Sequence, residues 1–409
     1  MNILYINHYA GAPPYGMEFR PYYMAKEWRK FGHKVLIVAA SYSHLRFRQP
    51  EYQKKSCEAI DGVDYQWYKT PQYSSNGILR VKNIFSFLYW LYRDTARLVK
   101  EFAPDVVIAS STYPFDIWPA RHIAKKAKAK LVYEIHDLWP LSPIELGGMS
   151  PKHPFIRLCQ KAENDCYQYS DAVVSILPNV HEHVMAHGLD IKKLYIVPNG
   201  IVEEEWNETN SEELSDNSIV SFFKTQKDSG NIIVGYAGAH GKPNALEYLL
   251  EAAKLLIDKP VVFALFGNGL EKNNLIQRSK ELNIKNVFFF NAVNKRQMFS
   301  LLKNIDIAYI SLRSQPLFRF GVSPNKLMDY MVSGTPIISA IRSANDLVTE
   351  VGCGITVAPA DPTAIANGFI RLMNLTPEER RNMGKHGREY ILKNQTYPIL
   401  AKKFLDAVY

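Results

Sequence analysis

The chain of 409 residues is poor in cysteine. Its four, Cys57, Cys159, Cys166 and Cys353, form no C-x-x-C pair and no metal-ligand spacing, which excludes a zinc module and a dense disulfide frame and suits a reducing, cytoplasmic compartment. No apolar run approaches the ~18 residues that a membrane span needs, and Met1 to Asn7 carry neither a charged leader nor a long apolar stretch. A protein neither exported by a standard signal nor anchored by a helix is expected. No D-x-D triplet occurs, so the usual mark of a metal-chelating sugar-nucleotide site is missing and no metal is expected. The lack of a G-x-S-x-G elbow and of a P-loop removes the simplest support for a hydrolase or a kinase. No fixed period of about 20 to 50 residues recurs, which excludes solenoids and propellers.

What is present is ordinary globular composition, 47% hydrophobic and 22% charged, enough for about two domains of ~200 residues and incompatible with disorder. Charge is uneven. Residues 1–200 hold 25 basic and 18 acidic residues, and so carry +7 of the net +9. A basic half suits an anionic partner such as a phosphate-bearing substrate or a membrane face, although a soluble basic surface gives the same excess.

Short apolar runs alternate with helical patterns, as in a parallel sheet covered on both faces. In the first half the runs are Ile3–Ile6, Val35–Ala40, Val106–Ala109, Leu131–Ile135, Ala172–Ile176 and Tyr195–Val197. A helix between the first two places Met24, Ala25, Trp28 and Phe31 on one face and ends at Gly32. Glu203 to Asp216 is acidic with little apolar periodicity and reads as a hinge or surface loop. The alternation restarts with Ile232–Tyr236, Val261–Phe266, Val287–Phe290, Ile307–Ile310, Pro336–Ser339 and Ile355–Val357. The fold class is therefore α/β with two Rossmann-like domains, and the last segment, about 377 to 409, is helical with a break near Tyr397-Pro398.

Ligands of open parallel sheets sit at the carboxyl ends of strands, which directs attention to the loops there. In Phe320-Gly321-Val322-Ser323-Pro324-Asn325-Lys326-Leu327-Met328-Asp329, Ser323 or Pro324 can begin a helix whose first N–H groups face an anion, with Lys326 adding charge and Asp329 on the same face. A surface Lys–Asp pair has the same spacing. Gly235-Tyr236-Ala237-Gly238-Ala239-His240-Gly241-Lys242 follows a strand and lets amides approach phosphate, but it is not G-x-G-x-x-G, so a nicotinamide cofactor is disfavoured. Gly267-Asn268-Gly269 is either a third such loop or a tight turn. His136 ends a strand where it can bond a sugar or phosphate, with Glu134 or Asp137 fixing its tautomer; a histidine satisfied by backbone carbonyls is the plainer alternative. Gly16, Glu18 and Arg20 open the first helix, Arg20 either pairing with Glu18 or reaching a diphosphate. Ile84 to Tyr92, flanked by Arg80, Lys82, Arg93, Arg97 and Lys100, is either an interfacial membrane-resting helix or a core helix with a basic end. Its aromatics cluster with aliphatics instead of alternating with basic residues, so nucleic acid is not an expected partner.

In this order the motifs resemble the retaining glycosyltransferases of family 4, over essentially the whole chain. The most specific part is Ser323-Pro324-Asn325-Lys326, then Asp329-Tyr330-Met331 and Gly334-Thr335-Pro336. The most similar subgroup builds bacterial O-antigen and capsular chains and includes transferases of N-acetyl-L-fucosamine. The resemblance implies the GT-B architecture, with an acceptor-binding domain at 1–198, a nucleotide-sugar domain at 199–385, and 386–409 crossing back to the first. It implies a UDP-sugar donor and a polyprenyl-diphosphate-linked acceptor at the inner face of the cytoplasmic membrane. It further implies His136 and Lys326 as catalytic groups and Asp329, Lys242, Gly238, Gly241, Gly267, Asn268, Val293 and Asn325 around the nucleotide. Ser323, Val322 and Pro324 would meet the donor sugar, with Gly16, Glu18 and Arg20 on the acceptor side. Two departures stand out: Gly321 occupies the first acidic position of the family's E-x7-E pattern, and Ala239-His240 stand where many members carry arginine. A UDP-sugar epimerase and a non-catalytic nucleotide-sugar-binding protein are the alternatives; the first needs no acceptor, and the second releases no UDP.

Overall fold

The computed structural model describes residues 1–51, 55–74 and 77–409. Its contacts divide the chain into two compact units, Met1–Pro198 with Tyr397–Tyr409, and Asn199–Thr396. The segment that returns to the first unit therefore begins at Tyr397, not at residue 386. The helix Pro377–Asn394 stays with the second unit, and Pro398 falls in the first turn of the helix Tyr397–Asp406, where a missing N–H is tolerated.

The first unit is built on β1 (Asn2–Ile6), β2 (Lys34–Ala40), β3 (Lys55–Ile60), β4 (Val63–Tyr68), β5 (Val106–Ala109), β6 (Lys130–Ile135), β7 (Ala172–Ser175) and β8 (Leu194–Ile196). They pair in the order β3-β4-β2-β1-β5-β6-β7-β8. All are parallel except the edge strand β3, which joins β4 as a hairpin. That hairpin is absent from the sequence reading. Its turn is Asp61-Gly62, both at positive φ, the backbone that a two-residue hairpin turn requires. The helix α1 (Arg20–Lys30) buries Met24, Ala25 and Trp28, but Phe31 stands at its end, 44% exposed. Trp28 packs between Tyr5 and Phe404, and its indole N–H donates to the Ala401 carbonyl at 3.0 Å, so the returning chain end completes this core.

The helix α2 (Ile78–Arg93) is amphipathic in an unusual sense. Ile84, Phe87, Leu88 and Leu91 face the core, while Ile78, Phe85, Tyr89 and Tyr92 form an exposed stripe on the other side with Lys82. Among the described residues no helix is long and apolar enough to cross a membrane.

The second unit has six strands, all parallel: β9 (Ile232–Ala237), β10 (Val261–Phe266), β11 (Val287–Phe290), β12 (Ile307–Ser311), β13 (Ile337–Ala340) and β14 (Gly354–Thr356). Their order is β11-β10-β9-β12-β13-β14. The acidic stretch after Gly200 is no free hinge. Trp206 is buried in this unit's core, and Glu205, Glu208 and Glu212 pair with Lys295, Lys303 and Arg296 of the same unit. The chain passes between units at 198/199 and 396/397, and Ile201 bridges Thr396 beside those crossings.

Among its parallel strands each sheet reverses its order once, between β1 and β5 and between β9 and β12. The loops that follow β1 and β9 are the two glycine-rich segments. A parallel sheet opens its ligand crevice at this kind of reversal.

Candidate functional site

In the second unit three backbone loops are pressed together. The Gly238 amide donates to Phe266 O and the His240 amide to Asn268 O, both at 2.9 Å. A Cβ on Gly267 would lie 1.9 Å from Gly238 O, and one on Gly269 2.3 Å from His240 O. These glycines exist for close approach, and they lay a strip of amides across the ends of β9 and β10. Lys272 fixes the strip from below, donating to Gly267 O, Phe290 O, Asn268 Oδ1 and Asn291 Oδ1 at 2.8 to 3.2 Å. This lysine has no motif of its own and escapes the sequence reading.

Lys326 stands on the first turn of α3 (Asn325–Ser333), whose N-cap Pro324 offers no side-chain cap. The helix start therefore leaves N–H groups available to an anion. The Lys326 ammonium donates to Tyr236 OH at 2.8 Å and to Asn244 Oδ1 at 2.6 Å, and lies 4.6 Å from the Tyr236 ring centre. Tyr236 OH and Asn244 Nδ2 both donate to Ala239 O, at 2.7 and 2.9 Å. Lysine and glycine loop thus form one hydrogen-bonded block. Gly238 faces it so closely that a Cβ there would meet Lys326 Cδ at 2.8 Å. Burial pushes the ammonium down to about 8, with Asp329 pulling the other way.

Asp329, one turn further along α3, is half-buried. Desolvation raises its carboxyl to about 7; Lys295 and Lys326 lower it and Glu205 adds to the rise. The next residue, Tyr330, accepts from the Ala237 amide at 2.9 Å and donates to the Ala237 carbonyl at 3.2 Å, which locks α3 to the end of β9.

The other expected donor-side residues are placed unequally. Asn325 is exposed at the helix start. Val322 is clamped through its backbone by Asn345, and Gly321 before it has φ +87°, a conformation that a glutamate would adopt only with strain. Ser323 is engaged by Asn199, whose amide donates to Ser323 Oγ and whose side chain donates to Ser323 O. Val293 packs partly buried against the core after β11. Lys242 is exposed and, with Gly241, Glu247, Glu271, Arg278 and Arg313, lines a cavity of about 310 Å³ whose lining does not include Lys326. His240 is buried between Tyr236 and Phe289, and desolvation, with Lys272 and Lys326 adding to it, lowers its ring to about 4, so it is neutral at pH 7.

In the first unit a buried carboxylate organises the site. Glu134 Oε1 accepts from Arg20 Nε at 2.8 Å, and Oε2 from Tyr5 OH and Ser110 Oγ, both at 2.6 Å. Burial alone would raise this carboxyl, but Arg20, His136 and Ser110 outweigh it and hold it well below the carboxylate range. His136 Nε2 lies 2.9 Å from Ser110 Oγ and 3.2 Å from Glu134 Oε2. Since the Ser110 proton goes to Glu134, His136 carries its own proton on Nε2 and presents Nδ1 to any ligand. Glu134 fixes the tautomer; Asp137 instead accepts from Leu138 N and Ser142 Oγ.

Arg20 corrects the acceptor-side expectation. It is 1% exposed, and besides Glu134 it donates to Pro198 O at 2.6 Å and Val197 O at 2.8 Å. All three guanidinium nitrogens are committed, so it neither pairs with Glu18 nor reaches a diphosphate. Gly16 (φ +106°) packs on Phe47, and half-buried Glu18 has its carbonyl bonded by the Gly11 amide at 2.7 Å.

Two family models match the chain: "Glycosyltransferase Family 4" over residues 14–205 and "Glycosyl transferases group 1" over 218–390. With the paired parallel sheets, they make the chain a glycosyltransferase of the GT-B class. Among individual proteins, it is similar to the probable glycosyltransferase WbjE of Pseudomonas aeruginosa, 22% identical over 85% of this chain and 84% of that one. The putative colanic acid biosynthesis glycosyl transferase WcaI of Escherichia coli K12 is 24% identical over 76% and 75%. The fold matches the crystal structure of Anabaena HepE in complex with UDP, with a TM-score of 0.68, 14% identity and 99% of both chains covered.

Proposed function

We propose that the protein is a retaining, metal-independent glycosyltransferase that moves a sugar from a UDP-sugar to a polyprenyl-diphosphate-linked glycan during surface polysaccharide assembly. An N-acetylated hexosamine such as N-acetyl-L-fucosamine is the proposed sugar. The observation that carries the reading is the block of Lys326, Tyr236, Asn244 and the Gly238 loop at the reversal of the second sheet. As the donor bond breaks, negative charge grows on the leaving diphosphate. A fixed ammonium and uncapped helix amides stabilise that charge without a divalent ion. Asp329 accepts from the ribose, His136 meets the donor sugar through Nδ1, and a leaving phosphate oxygen takes the acceptor proton. The complexes of HepE with UDP and UDP-glucose support the choice of nucleotide. The naming of WcaI for colanic acid supports the polysaccharide.

The exposed stripe Ile78, Phe85, Tyr89 and Tyr92 with Lys82 supports a membrane-resting face for a lipid-linked acceptor. The deciding experiment screens purified full-length protein against UDP-sugars, with and without lipid-linked acceptor and EDTA, reading UDP release. Acceptor-dependent release that survives EDTA is expected. Release that requires a divalent metal refutes the charge-stabilisation scheme; conversion of donor without acceptor makes the protein an epimerase.

A further inference from the structure

The helix Pro154–Tyr169 and the short helix His181–Ala186 of the first unit meet in a group of side chains that the sugar-transfer chemistry does not use. Glu163, His183 and His187 each bring one ligand atom to within 4.8 Å of the other two. His183 and His187 are four residues apart, so both rings project from one face, their centres 4.6 Å apart. Glu163 is buried; its Oε1 lies 2.6 Å from His183 Nε2, and His187 Nδ1 lies 3.1 Å from both Gln160 Nε2 and Asn164 Oδ1.

We propose that Glu163, His183 and His187 form a three-ligand site for a late divalent transition metal, zinc by its donor set, with the remaining position open to solvent beside His187. Two imidazoles and one carboxylate suit zinc and disfavour magnesium or calcium, which take oxygen ligands. A hydrogen-bonded Glu–His pair explains one imidazole near this carboxylate, but not two. The surroundings fit as well. Tyr167 OH donates to Glu163 Oε1 at 3.0 Å and Gln160 Nε2 to Oε2 at 2.7 Å, the kind of outer hydrogen bonding that orients a carboxylate ligand. Metal binding replaces the hydrogen bond between His183 and Glu163 and leaves these outer bonds in place. His187 is half-buried, which gives an ion a way in from solvent. None of the three residues belongs to the proposed donor or acceptor groups, so the site pins two helices together and takes no part in the transfer.

The test uses tag-free, full-length protein stripped with chelator and titrated with zinc in competition with a chromophoric chelator. One zinc per chain is expected, with affinity lowered about 100-fold or more in His187→Ala and Glu163→Gln and unchanged in His386→Ala, a histidine of the other unit. Cobalt should give the visible bands of a tetrahedral site, and these should vanish in His187→Ala. Zinc should raise the Tm of wild type and not of that variant. If Glu163→Gln does not fold, His187→Ala decides alone, since a half-exposed ring is removed without opening the core. Absence of stoichiometric zinc in wild type, or equal affinity in His187→Ala and His386→Ala, overturns the proposal.

Discussion

Replacing Lys326 by methionine keeps the length of the side chain and removes its charge. In the proposed mechanism the ammonium is one preorganised group on the departing diphosphate, and losing one such donor costs about 2.7–4 kcal/mol of transition-state stabilisation, roughly 10²–10³ in kcat. The fold loses less. Asn244 is buried and its Oδ1 gives up a 2.6 Å bond, a cost of about 1–3 kcal/mol against a typical stability of roughly 5–15 kcal/mol. Lys326→Met should therefore melt at lower temperature, yet be folded at 25 °C and release UDP at least ~100-fold more slowly. The pH profile adds a second signature. With the ammonium at about 8 in the free enzyme, kcat/KM for the donor should fall as pH rises through that value, and the fall should disappear in the variant. A folded variant that turns over within about threefold of wild type would refute the charge argument, whose expected loss is some tens of times larger.

Asp329→Asn should separate stability from function. The folded carboxyl is raised to about 7, so its favourable contribution is present at low pH and is lost as pH rises from about 4 through 7. Chemical denaturation at pH 8 should find the Asn variant more stable, by on the order of 1–3 kcal/mol, while its KM for the donor rises; a destabilised variant at pH 8 would contradict the desolvation account. Glu134→Gln leaves Arg20 buried against a neutral partner and should destabilise the fold by about 3–5 kcal/mol, read by thermal unfolding. Gly267→Ala forces a methyl to 1.9 Å from Gly238 O and should abolish stabilisation by UDP in a thermal-shift assay. Replacing both Tyr89 and Tyr92 by serine should lower sedimentation with anionic vesicles while leaving transfer to a soluble acceptor analogue unchanged.

The buried strands are legible because their signals are local: β5, β7, β9, β10, β12 and β13 are short apolar runs bounded by turn residues. The hairpin of β3 and β4 is missed because Ser56, Cys57 and Glu58 break any apolar run. Asp61-Gly62 is the one local sign of a hairpin there, a two-residue turn at positive φ. Arg20 misleads for another reason. At a helix start beside Glu18 it looks like a surface ion pair, but its carboxylate lies 114 residues away in sequence. The acidic segment likewise reads as a linker until Trp206 and three basic partners hold it to one unit. Motif spacing brings Lys326 and Asp329 to one helix end, but the tie from Lys326 to Asn244 spans 82 residues. No window of sequence reveals a contact of that range.

Because Tyr397–Tyr409 belongs with the first unit, the half of the molecule that the ribosome makes first is the half that is finished last. Trp28 and Tyr23 await Ala401, Phe404 and Tyr397, so the early core stays uncovered until residues 397–409 are translated, while the later half already has all its own parts. A stop codon at position 397 would injure the amino-terminal half, and a gene cut at residue 198 would yield a fragment with an open apolar seam.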